Sequence, residues 1–438
     1  MTQWERACAG EFSEELQAVA SAEGVDPEVL RQKVASGRVV IPANAMRTLA
    51  SPRGIGEGLR TKTNANIGTS GPVADLAQER AKLRAALAAG VDTVMDLSTG
   101  GDLPAIRRAL REACPVPFGT VPVYEAFAEA VARHDVAAVE PGTLLDAVEE
   151  QARDGVDFVT VHVGVTREVV AELRRRPRLC GVVSRGGMLI GEWMRRRGEE
   201  NPLYERYDDL LDIARSYDLT LSLGDGLRPG SLADAGDPAQ VRELVVIADL
   251  VRRARRAGVQ VMVEGPGHVP LNEVEAQVRT AKALTDGAPL YLLGPLVTDV
   301  APGYDHITAA IGGALAAAAG ADYLCYVTPS EHLGLPGPEE VRAGVVAARI
   351  AAHAADVAKG ITGARRWDDE MSDCRRRLDW EGMTRLAIDR DLVERYRREH
   401  GPLAGSPCTM CGEFCVYRVG RSQGGAESEA GSVRAGGA

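Results

Sequence analysis

At 438 residues, with 45% apolar and only 4% aromatic side chains, the chain can fill a large α/β core from Ala, Val and Leu and is not a wholly disordered polymer. Its formal net charge of −11 argues against a nucleic-acid partner, which needs clustered Lys and Arg that acids do not outweigh; a small anionic ligand held by a few local Arg residues and backbone N–H groups stays possible. The opening Met1-Thr-Gln-Trp-Glu-Arg has no apolar leader core, and the most apolar stretch, residues 309–321, is too short to span a bilayer before Asp322, so a cytoplasmic enzyme with no membrane partner is expected.

Residues 1–75 read as a small helical N-terminal cap, with Asp26-Pro27 opening a helix and residues 38–43 extended. Residues 76–337 then alternate short β-branched runs with helix-length segments. The runs are Thr93-Val-Met95, Gly119-Thr-Val-Pro-Val123, Phe158-Val-Thr-Val161, Gly181-Val-Val183, Thr220-Leu-Ser-Leu223, Val259-Gln-Val-Met-Val263, Leu290-Tyr-Leu-Leu293 and Tyr323-Leu-Cys-Tyr-Val327. Eight strands in this alternation predict an α/β fold, a (β/α)8 barrel, and no G-x-G-x-x-G fingerprint points to a doubly wound sheet instead. One coating helix shows the pattern: Asp237-Pro238 starts it, Val241, Leu244, Val245, Ala248 and Val251 share a face, and Gly258 stops it. Residues 338–418 read as C-terminal helices leading to a Cys loop, and the Gly, Ser and Ala-rich residues 419–438 as a disordered tail. No internal repeat beyond the βα period is expected.

Nearly every predicted strand ends in polar or Gly-rich residues, which a barrel gathers on one face: Asp96-Leu-Ser-Thr-Gly100, Tyr124, His162, Ser184-Arg-Gly-Gly187, Gly224-Asp-Gly-Leu-Arg228, Glu264-Gly-Pro-Gly-His268, Thr298-Asp299 and Ser330-Glu-His332. The segments after Ser184 and Gly224 are read as turns offering backbone N–H groups and a guanidinium to a phosphate. His268 and His332, following the sixth and eighth strands, either share a metal or are ordinary hydrogen-bonding histidines. Five Cys stand singly and three cluster as Cys408-Thr-Met-Cys411-Gly-Glu-Phe-Cys415, a usage that fits a reducing compartment. That cluster suits either a four-iron centre with one iron left open or a structural zinc, and a zinc-dependent barrel hydrolase using His268, His332 and Glu264 is a competing reading.

The segments Thr63-Asn-Ala-Asn-Ile-Gly68, Met95-Asp-Leu-Ser-Thr-Gly100, Ser184-Arg-Gly-Gly187, Ser222-Leu-Gly-Asp-Gly-Leu-Arg-Pro-Gly230, Glu264-Gly-Pro-Gly-His-Val-Pro270, Ala301-Pro-Gly-Tyr-Asp-His-Ile307 and Glu331-His-Leu-Gly-Leu-Pro336, in this order, resemble the phosphomethylpyrimidine synthase family. The resemblance implies a radical S-adenosylmethionine lyase of thiamine biosynthesis. Such an enzyme converts 5-aminoimidazole ribonucleotide to 4-amino-5-hydroxymethyl-2-methylpyrimidine phosphate with loss of formate and carbon monoxide. It implies a [4Fe-4S] cluster on Cys408, Cys411 and Cys415, S-adenosylmethionine at its open iron, and a divalent metal, zinc or iron, on His268 and His332. Substrate contacts fall by resemblance on Asn66, Met95, Tyr124, His162, Ser184, Arg185, Gly186, Asp225, Gly226, Leu227, Arg228, Glu264 and Tyr291, with Glu264 and Tyr291 the catalytic candidates. A homodimer and an electron donor such as flavodoxin or ferredoxin are implied as partners. Three features depart from the family pattern: three residues rather than four separate Cys411 from Cys415, and Met188 and Leu290 stand where a small polar residue and an aromatic are expected. The related 5-hydroxybenzimidazole synthases of cobamide biosynthesis share the motifs and the substrate.

Overall fold

The computed structural model describes residues 1–400 and 406–423 and divides into two compact units, Met1–Thr362 and Gly363–Ala438. In the first, helices Gln3–Cys8, Glu14–Glu23 and Pro27–Ala35 begin at Thr2, Ser13 and Asp26, whose side chains accept N–H groups of the first turn. Their apolar faces, through Leu16, Val19, Leu30 and Val34, form a small core with Val39 and Ile41 beside the two-stranded sheet β1 (Val39–Val40) and β2 (Ile55–Gly56).

The barrel follows. Strands β3 (Lys62–Ile67), β4 (Thr93–Asp96), β5 (Phe118–Thr120), β6 (Phe158–Val161), β7 (Thr220–Leu223), β8 (Val261–Gly265), β9 (Leu290–Leu293) and β10 (Tyr323–Cys325) pair in parallel and close, β10 against β3. The N-terminal segment seals the end where the strands begin. Gln3 N–H donates to Asp218 at 2.8 Å, Ile41 N–H to Gln260 at 2.7 Å, and the Asn44 amide to the carbonyls of Ala152 and Val156. The opposite face, built from the strand C-termini, is left for chemistry.

Strands β4, β6, β8 and β10 are entered through a shared device. Gly90, Gly155, Gly258 and Gly320 each hold a positive φ just after a helix, a conformation that a side chain would strain. Two residues later come Asp92, Asp157, Gln260 and Asp322. Asp92 accepts Thr63 N–H at 2.9 Å, Asp157 accepts Phe118 N–H at 2.8 Å and Asp322 accepts Leu290 N–H at 2.9 Å, so each fixes the neighbouring strand. Gln260 instead holds Ile41 of the N-terminal segment. This Gly-x-Asp/Gln motif recurs with the βα alternation itself, at every second strand.

Two strand assignments also change. The barrel opens with Lys62–Ile67, inside the segment read as an N-terminal cap, and residues 181–183 form no strand. The latter belong to the loop before helix Arg185–Arg197, and that loop is pinned by Leu179 and Cys180 N–H groups donating to Asp234 at 2.8 and 2.9 Å rather than to a sheet. One miss and one excess cancel, so β8 and β10 keep their places as sixth and eighth barrel strands. Helix Pro238–Arg256 starts at Asp237 as expected, but Val241 and Val245 are exposed. The buried stripe runs through Ala239, Glu243, Ile247, Leu250, Val251 and Ala254, which puts a carboxyl at its centre.

Helix Pro338–Lys359 lies within the first unit and is tied to the barrel where Asp356 accepts from Thr61 N–H and Oγ1 at 2.9 and 2.7 Å. The second unit contains helices Ala364–Arg377, Trp380–Leu386 and Arg390–His400, the Cys turn Gly412–Phe414 and helix Val416–Gln423. That last helix runs past residue 419; the rest of the expected tail, 424–438, lies outside the described residues. Among the described residues no helix is long and apolar enough to cross a membrane.

Candidate active site

Each barrel strand contributes to one pocket. Going round from β3, its lining takes Asn66 (β3), Met95 (β4), Tyr124 just beyond β5, Thr160 in β6 with His162 just beyond, Asp225 and Arg228 beyond β7, Glu264 (β8), Tyr291 (β9) and Cys325 (β10). The pocket, about 80 Å³, adjoins a wider outer cavity of about 370 Å³ that shares Asn66, Tyr124 and Arg228 and adds Arg185, Glu331 and His332. The Arg185 guanidinium lies over the Tyr124 ring, 5.0 Å from its centroid. Eight of the thirteen expected substrate contacts thus line the inner pocket, and Arg185 lines the outer cavity.

The interior is held by hydrogen bonds among side chains that project inward. Glu264 accepts from Thr160 Oγ1 at 2.7 Å and Ser222 Oγ at 3.0 Å. The Asn64 amide donates to Tyr291 Oη at 2.8 Å, and the Asn66 amide reaches Cys325 Sγ at 3.0 Å. Tyr291 stacks on Tyr323 with centroids 4.1 Å apart. Burial, reinforced by neighbouring Cys325 and Tyr323, keeps the Tyr291 phenol well above its ordinary pKa, and burial pushes the Cys325 thiol up to about 12, so both stay protonated at neutral pH.

One guanidinium serves several carboxyls. Arg228, 3.2 Å from Asp225, faces a group in which burial raises Asp225 well above the carboxylate range, Glu243 to about 8 against the pull of Arg178 and Arg228, and Glu264 upward against the pull of its hydrogen bonds. His162 is pushed down to about 3 by burial and by Arg228, so it is a neutral imidazole whose Nδ1 has no partner among the described residues. The site therefore offers carboxyls whose proton affinity burial has raised, a neutral imidazole and a phenol beside a fixed guanidinium, an arrangement suited to hydrogen-bonding a polar heterocycle beside an anionic group.

The two glycine-rich segments form one packed unit. Ser184 caps helix Arg185–Arg197 by accepting Gly187 N–H at 3.1 Å, which commits its hydroxyl to the backbone. A Cβ on Gly186 would lie 2.1 Å from the His162 ring, and one on Gly187 2.0 Å from the Gly226 carbonyl oxygen, so both glycines are required by close approach. The turn beyond β7 does not present all its N–H groups freely as the sequence suggests: Leu227 N–H donates to Glu243 at 2.8 Å, and Arg228 N–H to the Asp225 carbonyl at 3.0 Å. The Leu227 side chain is buried with Val169 and Ala239 in a separate apolar cluster. An anion here meets Arg228, Arg185 and the first turn of helix Arg185–Arg197.

Beyond β8, the backbone of residues 267–269 pairs with Leu296, Val269 N–H donating to the Leu296 carbonyl at 3.1 Å, and this brings His268 beside Asp299. His268 Nδ1 is 2.8 Å from Asp299 Oδ1, and His332 Nδ1 is 3.6 Å from Asp305 Oδ2. The two imidazole centroids are 5.5 Å apart with planes inclined at 53°. With metal–nitrogen distances of about 2.0–2.1 Å, two imidazoles on one tetrahedral ion hold their centroids roughly 5 Å apart, so the pair fits a shared cation. Among the described residues no third His, Cys, Asp or Glu completes a ligand set there or elsewhere.

The three thiols lie in the second unit. Cys408 is half-buried, Cys411 exposed and Cys415 buried, with Gly412 N–H closing the turn on the Cys408 carbonyl at 2.9 Å. Backbone N–H groups of Cys411 and Met410 pull the Cys408 thiol below its ordinary pKa, while the neighbouring Cys408 sulfur pushes Cys411 up. Iron would relieve that conflict between Cys408 and Cys411, so the chemistry of these thiols suits a cluster, although among the described residues the three are not gathered into a ligand set. Sequence reasoning missed Cys325, Thr160, Ser222 and Glu243 as parts of the pocket and its frame. The first three were detectable as lone polar or sulfur-bearing residues interrupting apolar strand runs.

Comparison with known proteins identifies the family. Residues 2–422 match the model of the radical SAM ThiC family. The chain is 53% identical over 430 residues to the phosphomethylpyrimidine synthase of Desulforamulus reducens, covering 98% of this chain and all of that one. It is 56% identical over 420 residues to the enzymes of the same name from Moorella thermoacetica, covering 96% of this chain and 97% of that one, and Thermus thermophilus, covering 96% of each. With a closed (β/α)8 barrel, a polar pocket at its strand C-termini and this likeness along nearly its whole length, the chain belongs to the radical SAM ThiC family.

Proposed function

We propose that the barrel pocket binds 5-aminoimidazole ribonucleotide and rearranges it to 4-amino-5-hydroxymethyl-2-methylpyrimidine phosphate, releasing formate and carbon monoxide. The observation that carries this reading is the convergence of Asn66, Met95, Tyr124, His162, Asp225, Arg228, Glu264 and Tyr291 on one pocket. Arg228, with Arg185 at the outer rim, is the phosphate partner, and Tyr291, Glu264 and neutral His162 meet the imidazole and ribose with hydrogen bonds rather than charge. Glu264, fixed by Thr160 and Ser222, is the group best placed to hold or move a proton, and Tyr291 orients the ring against Met95.

Cys408, Cys411 and Cys415 hold the [4Fe-4S] cluster, and His268 with His332 hold a divalent metal, zinc or iron. When bound, the cluster supplies the electron that cleaves S-adenosylmethionine reductively, drawn from a donor such as flavodoxin or ferredoxin. A homodimer is the working assembly.

The deciding experiment supplies reduced, cluster-loaded protein with S-adenosylmethionine and 5-aminoimidazole ribonucleotide and follows products by mass spectrometry. Formation of 5′-deoxyadenosine with the phosphorylated hydroxymethylpyrimidine is expected. Hydroxybenzimidazole in its place would overturn the product assignment, and absence of deoxyadenosine would overturn the radical reaction.

A further inference from the structure

We propose that Asp299 and Asp305 are positioning residues for His268 and His332, each engaging Nδ1 of one imidazole so that both Nε2 atoms remain available to one divalent cation. This rests on the metal reading above. The two histidines stand on different loops, 64 positions apart by their numbering, yet each has a carboxylate at the same ring atom: Asp299 at 2.8 Å from His268 and Asp305 at 3.6 Å from His332. A carboxylate at Nδ1 stabilises the tautomer that carries its proton there, and the lone pair is then on Nε2. Neither Nε2 takes part in a hydrogen bond among the described residues.

Asp299 is itself fixed by a backbone donor, and Asp305 is confined by burial. Asp299 accepts Leu232 N–H at 2.9 Å through its second oxygen, tying the loop beyond β7 to the one beyond β9. Asp305 is buried in the first turn of helix Asp305–Ala319, and its Oδ2 has no hydrogen-bond partner other than the approach to His332. An unsatisfied carboxylate oxygen inside the protein is costly, and the His332 ring, which at 3.6 Å does not close a hydrogen bond, is the donor that faces it. His332 holds a positive φ of 61°, uncommon for a side-chain-bearing residue, which turns its ring toward Asp305 and His268. The same chemistry thus recurs on two unrelated loops facing one point.

The test measures zinc affinity of the cluster-loaded full chain by competition with a chelator, zinc being counted separately from cluster iron. Asp299→Ala and Asp305→Ala are each expected to weaken zinc about 10- to 100-fold. The corresponding Asp→Asn variants, whose amide oxygen still accepts from Nδ1–H, are expected to recover most of that loss. Long-range nitrogen–proton NMR of the imidazoles, recorded without zinc, should show the Nδ1–H form falling in the Ala variants, a change that a merely structural role would not produce. Zinc retained by His268→Ala and His332→Ala would overturn the metal reading itself. Zinc lost in those variants but held within about twofold by both Asp→Ala variants would overturn the present inference alone.

Discussion

Replacing Arg228 with Ala tests the phosphate assignment most directly, because this guanidinium borders both the inner pocket and the outer cavity and answers several buried carboxyls. A hydrogen bond to a charged group contributes about 1.5–3 kcal/mol, so losing one such contact to a phosphate weakens binding roughly 10- to 150-fold. The substitution also strips Asp225 of its 3.2 Å partner. Burial already holds that carboxyl well above its ordinary pKa, so without the cation it takes a proton rather than remaining an isolated buried ion, and it adds no new repulsion toward the ligand. Calorimetric titration with the ribonucleotide and with its unphosphorylated riboside separates the two effects. The variant should lose the full factor for the ribonucleotide and less than about threefold for the riboside, with its iron content unchanged. Equal losses for both ligands, or none, would refute the contact.

Three further outcomes follow from the same geometry. Changing Cys408, Cys411 or Cys415 to Ala should abolish the brown colour and the roughly four irons per chain expected after anaerobic reconstitution, whereas a colourless, zinc-only wild type would contradict the cluster assignment. Glu243, pushed up to about 8, should make stability pH-dependent: below pH about 4.5 folded and unfolded chains are both protonated, and above it only the unfolded chain ionises, so stability falls until the folded carboxyl also ionises near pH 8. Glu243→Gln removes that penalty, and its melting temperature relative to wild type should rise steadily from pH 5 to pH 8; a flat or falling difference would contradict the buried-acid reading. Gly187→Ala drives a methyl onto the Gly226 carbonyl oxygen and should cost about 1–3 kcal/mol in denaturant unfolding together with weakened ribonucleotide binding, an unperturbed midpoint being the contrary result.

The barrel was legible because seven of its eight strands carry apolar or β-branched runs that both faces of a parallel sheet bury. The eighth, β3, reads Lys62-Thr-Asn-Ala-Asn-Ile67, and its alternate polar residues Lys62, Asn64 and Asn66 share the face turned to the barrel interior. Lys62 pairs with Glu23 at 3.0 Å at the closed end, while Asn64 and Asn66 reach Tyr291 and Cys325 toward the open one. A strand that serves the site on its inner face shows no hydrophobic periodicity, so the residues that resemble a known motif are the ones that conceal their own secondary structure. Gly181-Val-Val183 fails in the reverse sense: β-branched residues favour extended backbone, but a strand needs a neighbour, and Asp234 takes the adjacent N–H groups instead.

The same reasoning explains which site residues were visible. Arg228, Glu264 and His268 stand in glycine-rich strings at strand ends, where an ionisable residue without a helical or alternating context already signals a loop site. Glu243 was hidden by position: on a coating helix, a Glu between Val241 and Leu244 reads as solvent-facing. The buried face is instead rotated so that this carboxyl accepts the Leu227 N–H. That placement has a chemical consequence. Because Glu243 takes the Leu227 N–H and the Asp225 carbonyl takes that of Arg228, the turn is a poor anion nest, and in the proposed reading recognition of the phosphate passes to side-chain cations and to the first turn of helix Arg185–Arg197. Side-chain recognition at Arg228 also couples the anion to Asp225 and Glu264, since a phosphate that draws on the guanidinium weakens its hold on both buried carboxyls and favours their protonated forms. In the proposed reading, binding of the anionic end of the substrate would thereby favour protonated carboxyls at its other end.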